Sequence, residues 1–248
     1  MKHNVGTLLG VVGVTTAATL LGVGEAKAVV LAIDDFNDGA FFETLSPTVG
    51  ADFTDTQSGL SVLGGTRTVF SEVTSVGAVN NSNVNVNTTF NQFNLNEGSG
   101  IDLETTITYD AGGSGLGGID FSGRSGIEFD TISSVGLEAN ITLTDTNGNT
   151  STSPVASSIT GSTTLFKFSD FTSSGSFNLA SIDKVDAVLD SPGAGVSSTI
   201  GNVNAPMEPV PFEAETSAAL LLLGTWGSWK YWKKRNQQKV QLTASNEN

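Results

Sequence analysis

Cysteine is missing altogether from the 248 residues, and the single histidine is His3. The first absence excludes thiol nucleophiles, thiolate metal sites and disulfide staples, so stability has to come from packing. The second excludes Ser-His-Asp and Cys-His chemistry beyond the extreme N-terminus. It also excludes the usual His-ligated zinc site. Tryptophan is confined to Trp226, Trp229 and Trp232, and the tyrosines are Tyr109 and Tyr231. Positive charge is scarce as well. Between residues 29 and 207 only Arg67, Arg124, Lys167 and Lys184 are basic, against twenty acidic residues. Such a surface repels phosphate backbones and speaks against nucleic acid as a partner. It suits cations, or simply solubility. A long helical apolar period is also absent from this stretch, and long apolar runs occur only near the two ends.

The ends carry addresses. Lys2 and His3 form a short positive region, residues 5–23 are apolar, and Ala26-Lys27-Ala28 is a small-x-small cleavage site. Residues 1–28 thus read as a secretory signal peptide, the substrate of signal peptidase. An uncleaved anchor helix is the competing reading, weakened by Gly6, Gly10, Gly13, Gly22 and Gly24. At the other end, residues 216–232 are barely long enough to cross a membrane, since a spanning helix takes about 17–25 residues. Trp226, Trp229, Tyr231 and Trp232 crowd the end of that segment, as amphipathic aromatics do at the membrane–water interface. Lys233, Lys234 and Arg235 follow as a basic stop. An ordinary single-pass anchor and a cleaved sorting tail both fit this order.

Pro211-Phe212-Glu213, an apolar helix and a Lys/Arg cluster together resemble the C-terminal sorting domain of PEP-CTERM proteins, in the variant with Phe at the middle position. The resemblance covers about residues 209–235. It implies recognition by an exosortase-type membrane peptidase with cleavage near the motif. The expected organisation is a signal peptide at 1–28, an ectodomain at 29–203 and a linker with the motif at 204–213. A sorting or transmembrane segment at 214–235 and a polar tail at 236–248 complete it. The expected location is the cell envelope, then the cell surface or the extracellular space.

The body alternates. Ile101, Leu103, Thr105, Ile107 and Tyr109 share one face of a β-like run, and residues 135–143 repeat the pattern. Shorter runs are expected at 30–33, 60–63, 67–70, 88–95, 126–129, 163–168, 182–189 and 196–203. Gly, Asn, Asp and Ser separate them. About ten strands with turn signals between them predict an all-β jelly-roll sandwich. Ile33-Asp34-Asp35-Phe36, 63–69, 117–123 and 126–130 resemble a galactose-binding-like jelly roll of the carbohydrate-binding kind. Such a likeness implies a fold, and surface polysaccharide as a partner. The chain departs from it in having no Trp in the ectodomain, and its one Tyr, Tyr109, sits on a core-like face.

Asp34, Asp35 and Asp38 are candidate ligands for a structural calcium, since calcium takes several carboxylate and carbonyl oxygens. A solvated Asx turn explains the same residues. Asp145-Thr146-Asn147-Gly148-Asn149 imitates the start of a calcium loop, but Asn-Gly between two β-like runs predicts a type I′ hairpin turn. Asp102, Glu104, Asp120, Glu128 and Asp130 are the acids available for carboxylate-pair hydrolysis. Acidic residues on solvent-facing strand positions account for all five. Residues 80–87 read as a polar loop leading into an edge strand. The expectation is therefore an exported, non-enzymatic surface or extracellular-matrix protein. Its alternatives are a carbohydrate-binding module and a carboxylate-based hydrolase.

Overall fold

The structure is a computed structural model that describes residues 30–77, 80–133, 136–159, 163–190, 195 and 197–208. The signal peptide, the Pro211-Phe212-Glu213 motif, the 216–232 segment and Lys233, Lys234 and Arg235 lie outside the described residues. The strands are β1 (Leu31–Asp34), β2 (Phe41–Leu45), β3 (Asp52–Ser58), β4 (Thr66–Val76), β5 (Ser82–Asn87) and β6 (Gln92–Asn96). After them come β7 (Ile101–Tyr109), β8 (Gly126–Ser133), β9 (Leu137–Asp145), β10 (Thr150–Thr152) and β11 (Ala156–Ile159). The last are β12 (Thr163–Lys167), β13 (Thr172–Ser173), β14 (Ile182–Asp190) and β15 (Ser197–Ala205). Among the described residues no helix is long and apolar enough to cross a membrane.

Two antiparallel sheets form a β-sandwich. Sheet I has the order β12-β8-β15-β6-β5-β2, with β1 also paired to β15. Sheet II has the order β13-β10-β9-β14-β7-β4-β3, with β11 also paired to β9. Side chains alternate between the two faces of a strand, and the burial follows. Ile101, Leu103, Thr105, Ile107 and Tyr109 of β7 are all buried, as the alternation predicts. Leu137, Ala139, Ile141 and Leu143 of β9 repeat it. Thr105 is the polar member of that inward stripe, and its hydroxyl pairs with Ser71 of β4. Phe36, Phe93, Phe121 and Phe129 fill much of the space between the sheets.

Three expectations are corrected. The run at 60–63 is not a strand. It leads into a 3-10 turn, Leu63–Gly65, closed by the Leu60 N–H on the Gly65 carbonyl. Gly64 and Gly65 take φ of 72° and 70° there, a left-handed conformation that interrupts a strand and suits glycine. The run at 88–95 splits into a turn and β6, because Asn87 caps the turn by accepting the Thr89 N–H and Asn91 takes φ 54°. The strand at Ser82–Asn87 is not an edge: β6 and β2 flank it. The fold also continues past Val203. Asn204 pairs with Glu128 and with Ala32, and the Ser125 N–H donates to the Pro206 carbonyl.

Candidate functional site

The three candidate calcium ligands diverge. Asp34 is buried, and its carboxylate is taken up by Arg67 Nη1 at 3.0 Å, the Tyr109 hydroxyl at 3.0 Å and the Phe36 N–H at 2.8 Å. Arg67 is itself buried and also donates to the carbonyls of Asp38 and Gly39. Burial pushes the Asp34 carboxyl above its ordinary value, although Arg67 and the two other donors pull against it. Asp35 instead accepts from Asn37, and Asp38 accepts the Ser61 N–H. Among the described residues no three carboxylates converge as a metal cage would need. The Asp34 carboxylate does not fit calcium, because the guanidinium of Arg67 stands where the ion's charge would, whereas Asp38 Oδ1 is buried with no hydrogen-bond partner.

Asp145 closes a turn. Its carboxylate accepts the N–H groups of Asn147, Asn149 and Asn178 and the side-chain amide of Asn149. The Asp145 N–H meets the Asn149 carbonyl, and only Gly148 is left-handed, at φ 80°. A type I′ turn needs two such residues. The loop is instead a three-residue turn ending in a glycine bulge, and this corrects the expected turn type.

The five acids proposed for hydrolysis are dispersed. Asp102 and Glu104 face outward from β7 in sheet II, whereas Glu128 and Asp130 face outward from β8 in sheet I. Asp120 lies between those strands. The hydroxyl and N–H of Ser122 hold its carboxyl below the ordinary value.

The outward face of sheet I is built from amides. β5 presents Asn83, Asn85 and Asn87, β6 presents Gln92, Asn94 and Asn96, and β15 presents Thr199, Asn202 and Asn204. Register lines them up across the strands. Phe42 of β2 stands opposite Asn85, Asn85 opposite Asn94, Asn94 opposite Thr199, and Thr199 opposite Ser133. The next row is Thr44, Asn83, Asn96 and Ser197. Hydrogen bonds run along both rows. Thr199 donates to Asn94 at 2.9 Å, and Asn94 donates to Asn85 at 3.0 Å. Likewise Ser197 donates to Asn96 at 2.6 Å, and Asn96 to Asn83 at 3.1 Å. Each chain ends at β5 on an asparagine that accepts through its side-chain oxygen.

Apolar surface accompanies these rows. Phe42 is 65 % exposed beside Asn85, and Phe90, in the β5–β6 turn, is 67 % exposed. A shallow depression of about 350 Å³ lies here, lined by Phe42, Asn85, Asn87, Thr88 and Thr89 among others. Further across, Ile132 is 53 % exposed and lies over Gly201, a bulge residue of β15. A Cβ on Gly201 would meet Ile132 at 3.1 Å. Beyond it, Asn204 donates to Asn202, and Asn202 donates to Asp130 at 3.1 Å. Pre-ordered amides and hydroxyls beside exposed aromatic and aliphatic carbon match the surface of a sugar, which has a C–H face and a hydroxyl rim.

Sheet II has a different outer face. Asp52, Glu72, Glu104, Asp190 and Glu138 stand in one row across β3, β4, β7, β14 and β9. Like charges directly opposite each other cost stability.

The asparagines at 80–87 carry no motif that assigns them chemistry. The alternation Asn83, Asn85, Asn87 and Gln92, Asn94, Asn96 was the available signal, since period two puts all six side chains on one face.

No protein-family model matches the chain, and no curated protein matches it. Among solved structures, a family 11 carbohydrate-binding module of a cellulosomal cellulase of Clostridium thermocellum matches with a TM-score of 0.39 and 14% identity. That match covers 75% of this chain and 99% of the module. A family 29 carbohydrate-binding module variant matches with a TM-score of 0.30 and 14% identity, over 68% of this chain and 87% of that one. An agarase matches with a TM-score of 0.36 and 9% identity, over 56% of this chain and 23% of the agarase.

Proposed function

We propose that this is an exported, non-enzymatic protein of the cell surface or extracellular matrix that holds polysaccharide on the outward face of sheet I. On this reading, signal peptidase removes residues 1–28, and an exosortase-type membrane peptidase acts at the Pro211-Phe212-Glu213 motif. The fold is a jelly roll, in keeping with strands that pass repeatedly between the sheets.

The observation that carries the binding reading is the pair of hydrogen-bonded amide rows, one of them ending at exposed Phe42. Amides fixed by their neighbours have less rotamer freedom to lose on binding, which lowers the cost of association. Each also keeps unused donor or acceptor capacity for a hydroxyl. Phe42 and Ile132 supply flat apolar surface for the sugar's C–H face. Of the acids proposed for hydrolysis, Asp102 and Glu104 lie on the other sheet from this face.

The test is native affinity electrophoresis of the protein purified from its host, through gels containing dextran, hydroxyethylcellulose, agarose or the host's own envelope polysaccharide. At least one polymer is expected to retard it. Phe42→Ala and Asn85→Ala should each weaken that retardation about tenfold, the loss of one central contact. Retardation by none of these polymers, or retention unchanged in both variants, overturns the reading.

A further inference from the structure

On the outward face of sheet I, β5 and β8 present different chemistry. At the β5 side the hydrogen-bond chains end on Asn83 and Asn85, whose side-chain –NH2 groups are donors. At the β8 side a separate chain, confined to β15 and β8, ends in carboxylate. Asn202 donates to Asp130, and Glu128 stands two residues along the same strand, opposite Asn204. Carboxylates only accept hydrogen bonds. Of the four basic residues among those described, two lie away from this region and Arg124 donates to the Ala205 carbonyl. Arg67 is buried between the sheets and Lys184 pairs with Asp186 on sheet II. Lys167, at the end of β12, is the basic side chain nearest this region in register, opposite Gly126.

We propose that Glu128 and Asp130 act as a charge filter on the polysaccharide face: it accepts uncharged polymers and rejects those bearing carboxylate or sulfate. This rests on the binding reading above. A neutral sugar can offer ring and hydroxyl oxygens to Asn83 and Asn85 and hydroxyl protons to Asp130 and Glu128. A uronate or sulfated residue at the β8 end offers no proton in place of its charged group and brings like charge to within contact distance. In high dielectric each such contact costs roughly fivefold in affinity. The penalty shrinks as salt screens it.

Affinity electrophoresis against polymer pairs that share a backbone tests this. The pairs are hydroxyethylcellulose and carboxymethylcellulose, dextran and dextran sulfate, and agarose and a sulfated galactan. Retention by the neutral member is expected to exceed that by the anionic member at least tenfold at low salt, and the ratio should narrow as salt rises. The double variant Glu128→Gln, Asp130→Asn should cut the ratio about fivefold or more. Glu72→Gln, Glu104→Gln makes the same change in net charge on sheet II and should leave the ratio alone. Equal retention of both members of a pair overturns the filter, and so does an equal shift from the two double variants, which would mean overall charge alone decides. Both results leave polysaccharide binding standing. No retention by any neutral polymer removes the binding reading and the filter together.

Discussion

Arg67 is the residue whose role is least like that of an ordinary strand residue. Between positions 29 and 123 it is the only basic residue, and it lies wholly inside the sandwich against Asp34. Its guanidinium also sits over the Phe36 ring, 5.6 Å from the centroid. Phe36 is buried with φ 51°, an uncommon conformation for a non-glycine residue, and its N–H is held by Asp34. Tyr109 completes the group. Burial first, and then the neighbouring Asp34 charge, raise its hydroxyl pKa well above the ordinary value, so it stays a donor. Arg67→Met would leave Asp34 buried without its counter-charge. The expected loss is about 3–5 kcal/mol of unfolding free energy, measured by urea denaturation. Replacing Asp34 by Leu in the same chain should recover part of it, because the cost lies in the unpaired charge. A loss under about 1 kcal/mol would show that the pair is not holding the first loop. The isolation of Arg67 in sequence was visible; that it points inward was not, because residue type alone assigns Arg to the surface.

Among the elements, the two hairpins β5–β6 and β9–β10 divide the work. The first displays the amide rows. The second is anchored by Asp145, which sits at the buried end of β9. Burial pushes this carboxyl up, but the side chain and N–H of Asn149 and the N–H groups of Asn147 and Asn178 outweigh it, and its pKa falls below the ordinary 3.8. A lowered folded-state pKa means that the stabilisation is complete above about pH 3.8 and disappears as pH falls through the lower, folded value. The urea midpoint of the protein should therefore drop more steeply between pH 4 and pH 2 than that of Asp145→Asn. Parallel slopes would show that the turn does not depend on the carboxylate. The existence of this hairpin follows from Asn-Gly in the sequence. Its type does not, because the Asp145 carboxylate accepts two backbone N–H groups of the turn, those of Asn147 and Asn149, and so favours a type I turn with Gly148 alone left-handed.

Over the whole molecule, the two outer faces oppose each other in character. Sheet I shows amides with carbon at their margin, and sheet II shows a row of five carboxylates. With a formal charge of −14, the protein repels its own copies and other anions, which favours solubility. On the proposed reading, the addresses at the chain ends act on this whole unit. Intact mass of the protein recovered from its host is expected to match a chain beginning at Val29 and ending near residues 211–213. A mass that runs on to Asn248 would make it an ordinary anchored protein and remove the sorting reading.

Composition and periodicity determined the all-β class, the inward stripes of β7 and β9 and the lack of thiol and imidazole chemistry. These follow from local rules: alternation assigns a face, and a missing side chain removes a reaction wherever the chain goes. Tertiary structure decided which faces meet. Asn83 and Asn96 are thirteen residues apart and Asn94 and Thr199 more than a hundred, and only the register of β5, β6 and β15 makes them rows. Packing of sheet I on sheet II brought Arg67 of β4 to Asp34 of β1 and took up one of the three carboxylates that the spacing offered to calcium, because which side chains meet across a sandwich is not specified by local sequence.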